Sequence, residues 1–306
     1  DCDGATDESL ADLSCGQGAC ARTVAACVGG ASQRCTPGVA GVETCDGTDE
    51  DCDGAIDDGV CGPAVSCPVS QTVGPNSTVT LGTSTMSPRP VTCQWSVVSR
   101  PGTSSGTFSA PTSCTSSTYV ADVVGAHVLR FTVTDNTGLS SSCETTITVQ
   151  PTGDLWVELT WNVTNDMDLH LLHPMAGNYR NASSWSTSPY DCYYVNKTPS
   201  WDNAGTADDP SLDRDVVTGV GPENMRINAP VSSHVYWVGV HMFSWSASPT
   251  PVVATVRIYC AGQLKQTVTR SFSTLKELWI PGSIDFAGAG TQGCIYTPEN
   301  RVLNLP

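Results

Sequence analysis

The chain has 306 residues and a formal net charge of −16, with only 14% charged residues alongside 28 Gly, 20 Pro and 15 Cys. That sign makes nucleic acid and anionic membrane poor partners, no apolar run reaches the length of a membrane span, and a low charge with abundant Gly, Pro, Ser and Thr favours strands and turns over long helices. Cysteines spread through every region, without a paired Cys-x-x-Cys zinc pattern, read as disulfides made in an oxidising compartment, so the expected location is extracellular or the cell surface.

Residues 1–62 hold Cys2, Cys15, Cys20, Cys27, Cys35, Cys45, Cys52 and Cys61 but too few large apolar side chains for a core, so disulfides and ions must hold them together. Most of the charge excess lies here: residues 1–64 carry 13 acids against 2 bases, whereas 65–150 carry 3 of each and 151–306 carry 14 against 9. The stretch Thr48 to Gly59, Thr-Asp-Glu-Asp-Cys-Asp-Gly-Ala-Ile-Asp-Asp-Gly, reads as a cation loop. Asp49, Asp51 and Asp53 alternate, Gly54 allows a sharp turn, Ala55 offers its carbonyl and Asp57 stands at the ninth place. Carboxylates this close repel without a compensating charge, and hard oxygen ligands suit calcium first and magnesium second. Ile56 is expected to pin the loop to a small core. Val60 occupies the twelfth place instead of a bidentate Glu, which argues against a helix-loop-helix hand and for a disulfide-tied repeat.

The motif recurs at Asp1-Cys2-Asp3-Gly4-Ala5-Thr6-Asp7-Glu8, fifty residues before its full copy. This earlier copy is beheaded, so the chain is expected to be a fragment or a processed product. Cys45 is the nearest partner for Cys52, and the corresponding partner of Cys2 falls before residue 1, which accounts for an odd cysteine count. With Cys15-Gly-Gln-Gly-Ala-Cys20, Cys27-Val-Gly-Gly and Cys35-Thr-Pro-Gly between the loops, the region resembles the MopE-type metal-binding repeats of secreted bacterial proteins, especially myxobacterial ones. The resemblance implies a stalk or array module, with ligand roles for Asp49, Asp51, Asp53 and Asp57 and, in the beheaded copy, for Asp1, Asp3 and Asp7. Copper prefers imidazole and thioether; this segment has neither His nor Met, so calcium is the expected ion and copper is not.

From 65 to 150 the pattern changes to short alternating runs, Cys93–Val98, His127–Val133 and Glu144–Val149, separated by Gly, Pro and Ser turns. Five to seven strands of this kind make a β-sandwich. Gly125-Ala-His-Val-Leu-Arg-Phe-Thr-Val-Thr-Asp135-Asn-Thr-Gly138, with Trp95 upstream, is similar to a PKD-type immunoglobulin-like domain. Trp95 is then the anchor between sheets and Asp135 to Gly138 a tight turn. Cys67, near the first strand, and Cys143, near the last, are placed to join edge strands, which leaves Cys93 with Cys114. Domains of this type usually act as spacers.

Residues 152–306 open with the alternating strand Leu155–Trp161, whose outward positions are read as Glu158 and Thr160, and continue with Asn165-Asp166-Met-Asp168-Leu-His170. In an extended backbone Asp166 and Asp168 face one way, while Met167, Leu169 and Leu171 face a core. The pairing of Asp-x-Asp-Leu-His with the later Leu212-Asp213-Arg-Asp215 and Gly221-Pro-Glu223-Asn is similar to the YfaP-type domain of bacterial surface proteins. On that resemblance Asp166, Asp168, Asp213, Asp215 and Glu223 converge on one calcium at the end of a jelly-roll-like sandwich. Further strands are expected at Val235–Met242, Pro251–Cys260, Gln263–Phe272 and Glu277–Ile284, with a hairpin turn at Ala261-Gly262. Cys260 is expected to bond Cys294, which leaves Cys192 to Cys61 or free.

His170, His173, His234 and His241 make no zinc pattern by spacing, and no nucleophile elbow, phosphate loop or dinucleotide fingerprint occurs. Trp185, Tyr190, Tyr193, Tyr194 and Trp201 lie on one long loop, where they either pack or stack on sugar rings. The four Asn-x-Ser/Thr sequons at Asn76, Asn162, Asn181 and Asn196 are read as incidental. The chain is thus expected to be all-β: disulfide-rich calcium-binding repeats at 1–62, an immunoglobulin-like β-sandwich at 65–150 and a jelly-roll-like β-sandwich at 152–306. The expected role is non-enzymatic structure or adhesion, with other extracellular proteins or further copies of itself as partners. A polysaccharide-binding module, or accessory domains of an extracellular hydrolase, are the rival readings.

Overall fold

The computed structural model describes residues 10–87, 89–201, 205–244, 251–287 and 293–305; Asp1, Asp3, Asp7 and Cys2 lie outside them. Nearly all regular structure is β, and the helices among the described residues are single 3₁₀ turns at Gly18–Cys20, Pro174–Ala176 and Ala182–Ser184. None is long and apolar enough to cross a membrane.

Among the described residues of the N-terminal segment the strands make two small hairpins, Leu13–Cys15 with Arg22–Val24 and Cys27–Val28 with Ala31–Ser32. Disulfides do the work of a core, joining Cys15 to Cys35, Cys20 to Cys52 and Cys45 to Cys61. The expected Cys45–Cys52 bond is therefore wrong. The Gly18–Cys20 turn lies against the acidic loop, with Ala19 N donating to Asp49 O at 2.8 Å and Gln17 Nε2 to Cys52 O at 3.2 Å, and this brings Cys20 to Cys52. Ile56 does not pin the loop either: it is 63% exposed.

In the middle segment the strands Gln71–Val73, Ser140–Val149, Gly125–Asp135 and Val91–Ser99 form one sheet in that order. Opposite it pair Ser77–Gly82 with Ser116–Ala121 and Ala64–Ser66 with Ser84–Met86. The period of two puts Leu129, Phe131 and Val133 inward, all fully buried. Trp95 fills the space between the sheets, 5.0 Å from Phe131 and 5.8 Å from Phe108 by ring centres. Asp135 closes its turn as expected, its Oδ1 accepting from Thr137 N at 2.8 Å and Leu139 N at 3.0 Å. Cys67–Cys143 and Cys93–Cys114 are both formed.

The C-terminal segment is a sandwich of two five-stranded antiparallel sheets. One runs Ser211–Leu212, Glu223–Ile227, Leu155–Trp161, Val252–Cys260, Gln263–Phe272; the other runs Asp191–Cys192, Asp166–Leu172, Val235–Ser244, Glu277–Asp285, Ile295–Asn304. Leu155, Val157 and Leu159 meet Met167, Leu169 and Leu171 across the interface with Val238 and Val240. Ala261 and Gly262, at φ 49° and 76°, turn the hairpin with the two left-handed residues that a tight two-residue connection requires. Cys260 bonds Cys294.

One expectation fails in this unit. Glu158 and Thr160 are fully buried rather than outward-facing, because other segments cover that face. Val124 of the middle sandwich donates its amide to Glu158 Oε2 at 3.0 Å, and Gly221 lies so close that a Cβ there would meet Leu159 O at 2.9 Å. Cys192 is the free cysteine among the described residues and not a partner of Cys61, which bonds Cys45, while the expected unpaired Cys2 lies outside the described residues. Cys192 packs in the core, and burial pushes its thiol well above the ordinary range.

Candidate functional site

The acidic loop is shaped by its own carboxylates. Asp51 Oδ1 accepts from Asp53 N at 3.1 Å, Asp53 Oδ1 from Ala55 N at 2.8 Å and Asp49 Oδ2 from Gly54 N at 3.3 Å. Glu43 braces the loop from outside the twelve-residue frame, taking Asp51 N at 2.8 Å and Asp57 N at 2.9 Å on its two oxygens. Oxygens of Glu43, Asp49 and Asp51 lie within 4.8 Å of one another, and those of Asp51, Asp53 and Asp58 form a second such group. Asp49 is buried and its Oδ1 has no hydrogen-bond partner. The Asp53 amide pulls the Asp51 carboxyl down, but desolvation and the charges of Asp53, Glu43 and Asp58 outweigh it and leave the pKa above its ordinary value. Asp57 is not in either group: Asp46 N and Gly47 N each donate to its Oδ1 at 3.0 Å, so it caps the turn after Cys45. Glu43 and Asp58 are members that the loop spacing alone did not reveal.

The second group sits on the outer face of the second C-terminal sheet. Alternation along Asp166–Leu172 sends Asp166, Asp168 and His170 outward while Met167, Leu169 and Leu171 fill the core. Asp166, Asp168 and Asp215 place carboxylate oxygens within 4.8 Å of one another. Burial, and then the neighbouring Asp168, raise the Asp166 carboxyl to about 6 against a lowering hydrogen bond from Ser244. Lys197 Nζ stands 3.7 Å from Asp215 Oδ2. The remaining two acids are used otherwise. Asp213 accepts from Asn224 N at 3.1 Å and Asn224 Nδ2 at 2.9 Å, and also from Asn76 of the middle sandwich. Glu223 accepts from Leu169 N at 2.8 Å and Val216 N at 2.9 Å. It thereby satisfies the sheet edge beside the short Asp191–Cys192 strand, and burial raises its pKa well above the ordinary value.

The same Asp168 also faces two histidines that sequence spacing left apart. Antiparallel register sets Asp168 directly opposite His241 and His170 opposite Gly239, so ligand atoms of Asp168, His170 and His241 fall within 4.8 Å of one another. Asp191 Oδ2 lies 2.7 Å from His170 Nδ1. Burial alone disfavours an imidazolium, but this carboxylate outweighs it and holds the His170 pKa above the ordinary value. His241 goes the other way, lowered by burial. Trp185 and Tyr193 roof the group, Tyr193 stacked on His170 at 5.3 Å. Only Gly at 239 permits this, since a Cβ there would stand 2.6 Å from the Trp185 ring. A cavity of about 470 Å³ reaches His241, bordered by Trp185, Tyr194, Phe243 and Lys276.

No family model matches the chain, and no curated protein matches its sequence. Among solved structures it is similar to the Ig1-2 module of the Drosophila receptor protein tyrosine phosphatase DLAR, at 9% identity over 68% of this chain and 96% of that one, with a TM-score of 0.24. It is also similar to titin domains Z1Z2 in complex with telethonin (11%, 69% and 94%, TM-score 0.23) and to cadherin domains 1–4 of protocadherin gamma B7 (11%, 70% and 51%, TM-score 0.23). Superpositions this loose carry no functional weight.

Proposed function

We propose that this is a secreted or cell-surface modular protein with a structural or adhesion role, stiffened by disulfides and calcium and engaging other extracellular proteins or copies of itself. The observation that carries the reading is the spread of disulfides over all three segments, six of them between described residues, because such bonds persist in oxidising compartments. Calcium is supported by the oxygen-only groups at Glu43, Asp49, Asp51, Asp53 and Asp58 and at Asp166, Asp168 and Asp215, which repel without a cation. Asp1, Asp3 and Asp7 belong to the same proposal by repetition of the motif. The sugar-binding alternative gains nothing: Trp185, Tyr193 and Trp201 are at most 7% exposed, so their faces are spent on packing.

The test is removal of calcium. Chelation should lower the melting temperature and open the 43–58 segment to protease, with added calcium restoring both. Melting and digestion indifferent to calcium would refute the ion assignment and leave a scaffold held by disulfides alone.

A further inference from the structure

We propose that Asp168, His170 and His241 form a second kind of metal site, one that takes a zinc-class divalent ion through two imidazoles and one carboxylate. The calcium reading does not supply this site, since calcium prefers oxygen, whereas imidazole suits zinc and its first-row neighbours.

Three observations place the ion here. His170 is fully buried and Asp168 is 2% exposed, yet His170 Nε2 and Asp168 Oδ2 have no hydrogen-bond partner. Buried polar atoms left in that condition destabilise the fold, and an ion among them removes the cost. Secondly, His241 Nδ1 stands 3.4 Å from Asp168 Oδ2 in a geometry that makes no hydrogen bond. Two ligands each about 2.0–2.1 Å from a tetrahedral ion are separated by roughly 3.4 Å, so the spacing fits an edge of a zinc shell. Thirdly, Asp191 fixes the His170 ring by its Nδ1 at 2.7 Å, leaving Nε2 as the ring nitrogen without a partner. A carboxylate behind a metal-binding imidazole sets its tautomer and orientation. Asp191 is itself held by Ser186 N at 2.7 Å.

Three protein ligands leave a fourth position. His241 borders the 470 Å³ cavity, so water or a small anion can reach that position past Lys276. Asp168 also belongs to the carboxylate group with Asp166 and Asp215, and the site's two sides are distinguished by chemistry: oxygen toward Asp166 and Asp215, nitrogen toward His170 and His241.

The experiment uses the untagged full chain, stripped with chelator and titrated with Zn²⁺ by calorimetry and with Co²⁺ by visible absorption. One equivalent of Zn²⁺ is expected, with binding weakened at least 100-fold in His170→Gln and His241→Gln and about 10–100-fold in Asp191→Asn. Asp166→Asn with Asp215→Asn should keep zinc while losing only the part of the calcium effect on melting that the Asp166, Asp168 and Asp215 group supplies, the 43–58 groups being untouched, so the two readings fail separately. Near-ultraviolet circular dichroism checks that each variant is folded. Zinc binding that survives both histidine substitutions overturns the proposal. So does a wild-type cobalt spectrum without the strong bands of a four-coordinate ion, whatever the variants do.

Discussion

Asp191 Oδ2 sits 2.7 Å from His170 Nδ1 with both side chains fully buried, the same separation that Glu144 Oε1 keeps from Arg130 Nη2 on a face where both are about half exposed. Distance is equal, so burial decides what each pair is worth. Removing one partner of a buried pair strands the other without solvent, at about 3–5 kcal/mol. An exposed pair loses only ~0–1 kcal/mol. Asp191→Ala should therefore shift the urea midpoint strongly and Glu144→Ala hardly at all; similar shifts would show that burial is not the controlling variable.

Glu158 ties the two sandwiches together. It is fully buried and accepts from Arg257 Nη1 at 2.9 Å and from Val124 N at 3.0 Å. Burial raises its pKa above the ordinary value despite both donors. The folded state then holds the proton more tightly than the unfolded one, so this group's contribution to stability falls as pH climbs from the unfolded pKa through the folded one. Glu158→Gln removes that slope, which denaturation midpoints between pH 4 and 7 will register. A glutamine offers one oxygen to two donors, so hydrogen exchange at Val124 should also quicken by about tenfold, equivalent to a lost bond of ~1.4 kcal/mol. An unchanged Val124 amide would mean the junction does not depend on this carboxylate.

Where a segment's alternation is its own, the strand is legible in the sequence. Leu155–Trp161 and Gln263–Phe272 were found at their observed ends, because apolar and polar residues exchange faces along each strand. Periodicity names two faces, however, and does not say what covers each. Glu158 and Thr160 lie on the polar-looking face of their strand, yet are buried by segments that come from elsewhere. The Asp168, His170 and His241 group was missed for a related reason. Asp168 and His241 become neighbours only through cross-strand register, which the spacing of the histidines along the chain does not show. The available signal was Asp168 with His170, two apart on one face. Cys45 and Cys52 show the reverse: they are near in sequence, yet the Gly18–Cys20 turn, packed on the loop, decides the partner of Cys52.

Loop length separates the two disulfides of the middle sandwich. Cys67–Cys143 closes 76 residues and Cys93–Cys114 closes 21. If each acts by restricting the unfolded chain, both contribute about 3–5 kcal/mol, and the longer loop contributes ~1 kcal/mol more. The paired alanine variants, unfolded side by side in guanidinium, should follow that order. A larger loss from the Cys93–Cys114 pair would point instead to native packing, since Cys93 is buried in the same core as Trp95.

His173 gives the protein an acid-sensitive core. Its ring is 1% exposed, with Trp201 at 4.8 Å and His234 at 4.7 Å. Its Nδ1 accepts from Met175 N at 3.2 Å, a bond that requires the nitrogen to be unprotonated. Burial, and then His234, lower its pKa to about 4. An unfolded histidine takes up its proton near pH 6.5, so the unfolded state binds first as the solution is acidified. Stability from this group is complete above about 6.5 and is lost progressively as pH falls toward about 4. His173→Gln keeps an acceptor for Met175 N and cannot titrate in that window. Melting temperatures measured from pH 7 to pH 4 should fall less steeply for the variant than for the wild type. Parallel curves would mean that His173 takes up its proton in the fold as readily as in the unfolded chain, and that the Met175 amide has another partner.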